Sequence, residues 1–204
     1  MGSWRFDADY AERLRLFDGT ETLVRLARPE DAPLLQAGFA ALTPETRYLR
    51  FFAHKSQLDD REARALVDLD DRDELAVGAV GAPGSAVEGM PMGVARFARL
   101  DERAAEAAVV VVDAFQRRGL ATALLARLGE AAAERGFDTL VFETLPDNRA
   151  LVALVRKVFP NTEVERTPGG PVVCRAPLPP RPASAEASGA PPDAAEPSAR
   201  PSDA

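Results

Sequence analysis

The sequence predicts an α/β (α+β) domain whose mixed sheet is mostly antiparallel and flanked by helices. Three observations point there. Two alternating strand-like runs meet at the turn dipeptide Asp18-Gly19, the signature of a β-hairpin. Residues 106–145 read as one strand-helix-strand unit, which must cross over right-handed between parallel strands. A last helix and a second hairpin signature follow it.

The elements can be justified in order. Arg13-Leu14-Arg15-Leu16 alternates polar and apolar, and Thr22 to Arg28 does so again. Pro29 then opens a helix carrying Leu34, Leu35 and Phe39, with Glu30 and Asp31 in its first turn. Thr43-Pro44-Glu45 starts a short helix to Phe52. Asp59 with Glu62 marks a third helix start, backed by Ala63, Leu66 and Val67. Strands are expected at Leu75–Val80, Met92–Leu100 and Ala104–Val112. A helix from about Gly119 to Arg135 places Leu120, Leu124, Leu125, Leu128, Ala131 and Ala132 near a 3.6-residue period. Thr139–Leu145 is a strand, and Pro146-Asp147-Asn148 starts a helix that Pro160-Asn161 stops. Thr162–Arg166 and Val172–Ala176 close as a hairpin around Pro168-Gly169-Gly170. The folded domain is therefore expected over residues 10–176. Residues 177–204 are rich in Pro, Ala and Ser and are expected to be a disordered tail, because they cannot bury enough apolar surface to offset their ordering entropy.

Composition narrows the function classes. The net charge of −7 disfavours nucleic acid as a partner, since phosphate binding needs a basic face. No apolar run approaches the roughly 20 residues that span a bilayer. Charges interrupt the N-terminus, which does not read as a secretory signal, so a cytoplasmic protein without a membrane partner is expected. One cysteine, Cys174, and one histidine, His54, argue against a disulfide, a Cys- or His-based metal site or a histidine triad. Cys174 reads as packing in the last strand, and His54 as a surface residue.

The informative stretch runs Val109-Val110-Val111-Val112-Asp113-Ala114-Phe115-Gln116-Arg117-Arg118-Gly119-Leu120-Ala121-Thr122. An apolar strand ends, a polar turn follows, and a helix begins. Main-chain N–H groups at a helix start carry partial positive charge and form a site for phosphate. Gly119 and Ala121 let an anion approach the backbone, and Arg117 and Arg118 add full charges. A lone Arg-Arg-Gly would be no more than a flexible helix start; the valine strand before it and the amphipathic helix after it give it weight.

This pattern resembles the GNAT acetyltransferase family, whose signature Arg/Gln-x-x-Gly-x-Gly/Ala stands here as Gln116-x-x-Gly119-x-Ala121. Leu23–Asp31 looks like the family's first strand and helix, so the resemblance covers nearly the whole folded part. It implies a GNAT-type fold and acetyl-CoA as cosubstrate, without a metal. The amides of Gln116, Arg117, Arg118, Gly119, Leu120 and Ala121 would bind the diphosphate, with Thr122 also among the cofactor-binding residues. Val109, Val110 and Val111 would pair with the pantetheine arm, and Asn148 would stand near the cofactor. The run Pro44–Phe52 looks like a segment of the acetyltransferase domain of bacterial protein-lysine acetyltransferases. That implies a protein lysine as acceptor, such as one on an acyl-CoA synthetase, with a small amine second. Arg47 and Arg50 would then stand at the acceptor mouth or touch the cofactor; Tyr48, Phe51 and Phe52 otherwise read as helix core.

Acetyl transfer needs a neutral amine, and a lysine is mostly protonated at neutral pH, so a carboxylate must take its proton. Glu106 lies at the start of the otherwise apolar strand Ala104–Val109, where an acid either faces a cleft or marks an exposed strand end. In the resembling branch a glutamate of this strand is the base, which implies that role for Glu106. Glu143, in the next strand, is the reserve. Where many family members place an acidic tyrosine, this chain has Val158 and Phe159, which leaves thiolate protonation to solvent or to the ammonium proton. A non-catalytic acyl-CoA sensor with the same fold is the contrasting expectation.

Overall fold

The computed structural model describes residues 4–179. The strands are β1 (Ala11–Arg15), β2 (Glu21–Leu26), β3 (Glu74–Gly81), β4 (Pro91–Arg99), β5 (Ala104–Val111), β6 (Thr139–Thr144), β7 (Glu163–Arg166) and β8 (Val172–Pro177). The helices are α1 (Ala32–Ala40), α2 (Pro44–Phe51), α3 (Asp60–Ala65), α4 (Leu120–Glu134) and α5 (Arg149–Val158). This is the predicted element order. One sheet runs β1-β2-β3-β4-β5-β6-β8-β7, and every neighbouring pair is antiparallel except β5 with β6.

The first helix starts three residues later than expected. Pro29–Asp31 is a 3-10 turn, because Asp31 is turned back to accept from the Arg28 N–H and to take Arg25 in a two-pronged ion pair at 2.6 and 2.7 Å. The other starts follow the sequence signals. Thr43 caps α2 through the Thr46 N–H, and Asp59 with Glu62 forms a capping box on α3.

The two sheet faces have different cover. Phe97 of β4 pairs in register with Ala107 of β5, and its ring meets Phe137, just past α4, edge-on at 5.3 Å. That face therefore carries α4, whose Leu120, Leu124, Leu125 and Leu128 are at most 1% exposed. Alternation puts Arg96, Ala108 and Val110 on the opposite face, toward α1–α3.

The packed body extends past both expected boundaries. Phe6 is fully buried against Tyr10, with ring centroids 4.5 Å apart, and the Arg135 guanidinium donates to the Phe6 carbonyl. Pro177 belongs to β8, and Leu178 is buried, its N–H donating to the Asp138 carbonyl at 2.7 Å. The expected tail from residue 180 onward lies outside the described residues.

Candidate active site

The site begins where two strands part. β5 and β6 pair in parallel only from Ala104–Glu106 against Thr139–Val141. Beyond that point β5 stays with β4 up to Val111, while β6 follows β8. The edge of β5 from Ala107 onward is thus an unpaired ladder, a template for an extended ligand. The opening is a cleft of about 440 Å³ lined by β5, α2, α5 and the start of α4.

The loop from β5 to α4 shapes one end of this cleft. Arg117 (φ 59°) and Gly119 (φ 92°) are both left-handed, a sequence of turns that aims successive N–H groups outward as an anion-binding concavity. The first intrahelical bond of α4 is from the Ala123 N–H to the Gly119 carbonyl, so the N–H groups of Leu120, Ala121 and Thr122 precede it. A Cβ at Gly119 would stand 2.9 Å from the ring of Phe17, a residue of the β1–β2 turn that is 81% exposed and leans over this loop.

The other wall is α2, tied down by one carboxylate. Asp113 accepts from the Thr43 N–H (2.9 Å), the Thr43 hydroxyl (2.9 Å) and the Thr46 hydroxyl (2.8 Å). Burial pushes the Asp113 carboxyl up, but these donors outweigh it and hold it below its usual value. The Gln116 side chain donates to the Val111 carbonyl at 3.0 Å and reaches the Thr46 hydroxyl. Helix α2 is therefore fastened to the loop that starts α4.

Most of the residues singled out in the sequence come together here. Glu106, Val109, Val110, Val111, Gln116, Arg117, Gly119, Ala121, Thr122, Glu143 and Asn148 all line the cleft. Glu106 sits at the parting point, in register with Val141, and both it and Glu143 are exposed. Two residues of the set lie elsewhere. Arg118 is drawn to Asp18 and Thr20 of the β1–β2 turn, so its side chain does not face the cleft. Leu120 is 1% exposed and packs in the core, leaving only its main chain for a ligand. The Asn148 side chain is internally engaged as the cap of α5, accepting from the Leu151 N–H and donating to Thr144.

The α2 residues divide. Arg50 and Phe52 line the cleft, and Phe51 packs on the core. Arg47 instead clamps the Ala40 and Ser56 carbonyls over the Phe39 ring. Tyr48 stacks on His54, 5.0 Å away, and neither lines the cleft. Cys174 is fully buried, and burial raises its thiol above the ordinary value. Phe159 stands in the core beside Phe142. Phe17, Leu49, Leu151 and Leu154 also line the cleft and were not singled out in the sequence. Phe17 carried a signal: an aromatic next to the Asp18-Gly19 turn has no core to enter. Among the described residues no helix is long and apolar enough to cross a membrane.

Comparison with known proteins agrees with this architecture. Acetyltransferase PA5475 of Pseudomonas aeruginosa is 30% identical over 138 residues, covering 67% of this chain and 73% of that protein. The GNAT domain of S. lividans PAT superposes with a TM-score of 0.75 at 26% identity, covering 85% of this chain and 99% of that one. YncA, a putative acetyltransferase from Salmonella typhimurium solved with its cofactor acetyl-CoA, shares the fold at 18% identity and a TM-score of 0.60, covering 82% and 99%. Residues 39–159 match the model of the acetyltransferase (GNAT) family. The chain belongs to the GNAT family and is an acyltransferase.

Proposed function

We propose that this protein moves an acetyl group from acetyl-CoA to a primary amine, with a protein lysine as the acceptor and Glu106 as the general base. The observation that carries the reading is the parting of β5 and β6 beside the start of α4, with a carboxylate at the point of parting. The left-handed loop Gln116–Gly119 and the first N–H groups of α4 hold the diphosphate. The pantetheine arm lies along the unpaired edge Val109–Val111 as an added strand. That arrangement brings the thioester toward Glu106.

Glu106 takes a proton from the acceptor ammonium. The neutral nitrogen attacks the thioester carbonyl, an N–C bond forms, and the C–S bond breaks. A main-chain N–H at the splay steadies the oxyanion, and as the C–S bond breaks the nitrogen gives up its second proton, which the departing thiolate takes directly or through solvent. Glu143 on β6 is the reserve base. The lysine acceptor is supported by the likeness to the GNAT domain of S. lividans PAT. An acyl-CoA synthetase is one such protein acceptor, and the cytoplasm is the compartment that fits the chemistry.

The test is CoA release from acetyl-CoA with a panel of small amines, lysine peptides and acyl-CoA synthetases, for wild type and Glu106→Gln. Turnover that falls while acetyl-CoA binding persists supports the reading. Binding of acetyl-CoA without release of CoA for any amine would make the protein a sensor instead.

A further inference from the structure

A second cavity, of about 100 Å³, opens on the α1–α3 side of the sheet. Arg50, Ala108 and Val110 line both it and the cofactor cleft, so the two spaces meet at the strand that bears Glu106. Its other walls are chiefly apolar, including Leu35, Phe39 and Val94.

Arg50 is an anomaly in this setting. Arg25 has a two-pronged carboxylate and Arg47 has two carbonyls. Arg50 has no hydrogen-bond acceptor and no carboxylate within ion-pair distance among the described residues; it lies 5.2 Å from the Phe51 ring. Its charged surroundings are a second guanidinium, Arg96, and Glu106. The carboxylate that pairs with Arg96 is Glu74, at 3.7 Å. Two guanidinium groups on an apolar, part-buried wall repel each other and lose hydration, which favours an anion placed between them.

The position of Arg50 says which anion. Thr46, at the loop end of α2, touches the Gln116 side chain. Arg50 lies one turn further, about 6 Å along the helix axis, on the side of Glu106. The diphosphate belongs to the loop end, so the charge that Arg50 receives arrives with the acceptor.

We infer that Arg50, backed by Arg96, binds a carboxylate that the acceptor carries close to its reacting amine. This rests on the acetyl-transfer reading above. Arg96 has Glu74 and the acceptor ammonium has Glu106, which leaves Arg50 as the guanidinium that a carboxylate brought in with the acceptor would pair. The carboxylate has two sources, an acidic residue beside a lysine in a protein or the acceptor's own α-carboxylate when an apolar amino acid fills the second cavity. The chemistry at Arg50 is the same for both.

The experiment measures kcat/KM by CoA release for two matched pairs. One pair is a lysine peptide with Asp or with Asn beside the lysine, and the other is leucine or leucinamide. In the wild type the acid member of at least one pair is favoured by about tenfold or more, the low end for a hydrogen bond between charged partners. That pair identifies the source. The preference shrinks to about twofold or less in Arg50→Gln and returns in part in Arg50→Lys, which keeps the charge without the fork. The thermal upshift with acetyl-CoA monitors folding of both variants, and the wild-type comparison stands without them. Equal kcat/KM within both pairs, or a preference that survives Arg50→Gln, overturns the inference alone. No CoA release with any amine overturns the transfer reading and this inference with it.

Discussion

Two glycines at opposite ends of α4 permit a controlled perturbation of the proposed diphosphate cradle. Gly119 (φ 92°) precedes the helix and Gly136 (φ 88°) follows it. Alanine at either position is strained by the left-handed backbone, which costs about 1–3 kcal/mol. At roughly 2–4 °C per kcal/mol for a domain of this size, each variant should melt about 2–12 °C lower. The surroundings differ. A Cβ at Gly136 meets nothing within 4 Å, whereas one at Gly119 meets Phe17 ring atoms at 2.9–3.2 Å. Phe17 is 81% exposed and can swing aside, so the clash adds little to the stability loss. The consequence for the ligand is larger, because the new methyl stands on the anion-binding loop and any relaxation of φ re-aims its N–H groups. The assay is thermal unfolding with and without acetyl-CoA. At one hundred times Kd the ligand stabilises by about 2.7 kcal/mol, and each tenfold loss of affinity removes about 1.4 kcal/mol of that. Gly136→Ala should keep the full ligand-induced upshift, and Gly119→Ala should lose at least half of it. A full upshift in Gly119→Ala would refute the reasoning, and so would an equal loss in both variants.

Glu106→Gln should lower kcat by about 100-fold or more, the usual range for a removed general base, while Glu143→Gln changes it much less; steady-state kinetics that rank the two in the reverse order assign the proton transfer to Glu143. Asp113→Asn leaves the Thr43 and Thr46 donors without their carboxylate and should destabilise the protein by about 1–3 kcal/mol in urea unfolding, and an unchanged midpoint would mean that α2 is held by packing instead. Glu12 accepts from the Arg127 guanidinium and from the Tyr10 hydroxyl, and the Arg127 bond chiefly lowers its carboxyl from the usual 4.5 to about 2. The depressed value means that its contribution is complete above pH 4.5 and is lost as pH falls through about 2. That shift corresponds to about 3 kcal/mol; water reaching the quarter-exposed pair screens it to about 1–2 kcal/mol, so Glu12→Gln should be less stable by that amount at pH 7 and by a smaller amount at pH 3. Cys174, fully buried with its thiol pushed up, should react with a thiol reagent only as fast as the protein opens, and rapid labelling of the native state would contradict its placement.

Period and punctuation made the elements legible. The leucine-alanine spacing of α4, the caps Thr43 and Asp59, and the turns at Gly19 and Gly169 are local signals, and each element formed where they stood. The exceptions were decided through space. The sequence places Asp31 as a first-turn helical acid, but Arg25 on the neighbouring strand captures it and delays α1. Phe6 and Leu178 lie beyond the expected boundaries because the groups that bond their main chain, Arg135 and Asp138, are far away in the sequence.

The chain on its own determined the order of strands and helices, that one parallel crossover exists, and that a glycine-bearing turn opens a helix after a valine strand. Those properties depend on residues a few positions apart. Only the tertiary structure decided where β5 and β6 separate, which places Glu106 at the head of a cleft. It also decided that Arg118 is drawn to Asp18 while Arg50 has no carboxylate within ion-pair distance among the described residues. Two arginines read alike in a sequence; what each one meets depends on which distant strand or turn the fold brings alongside, and charge pairing acts over distance in space, not along the chain.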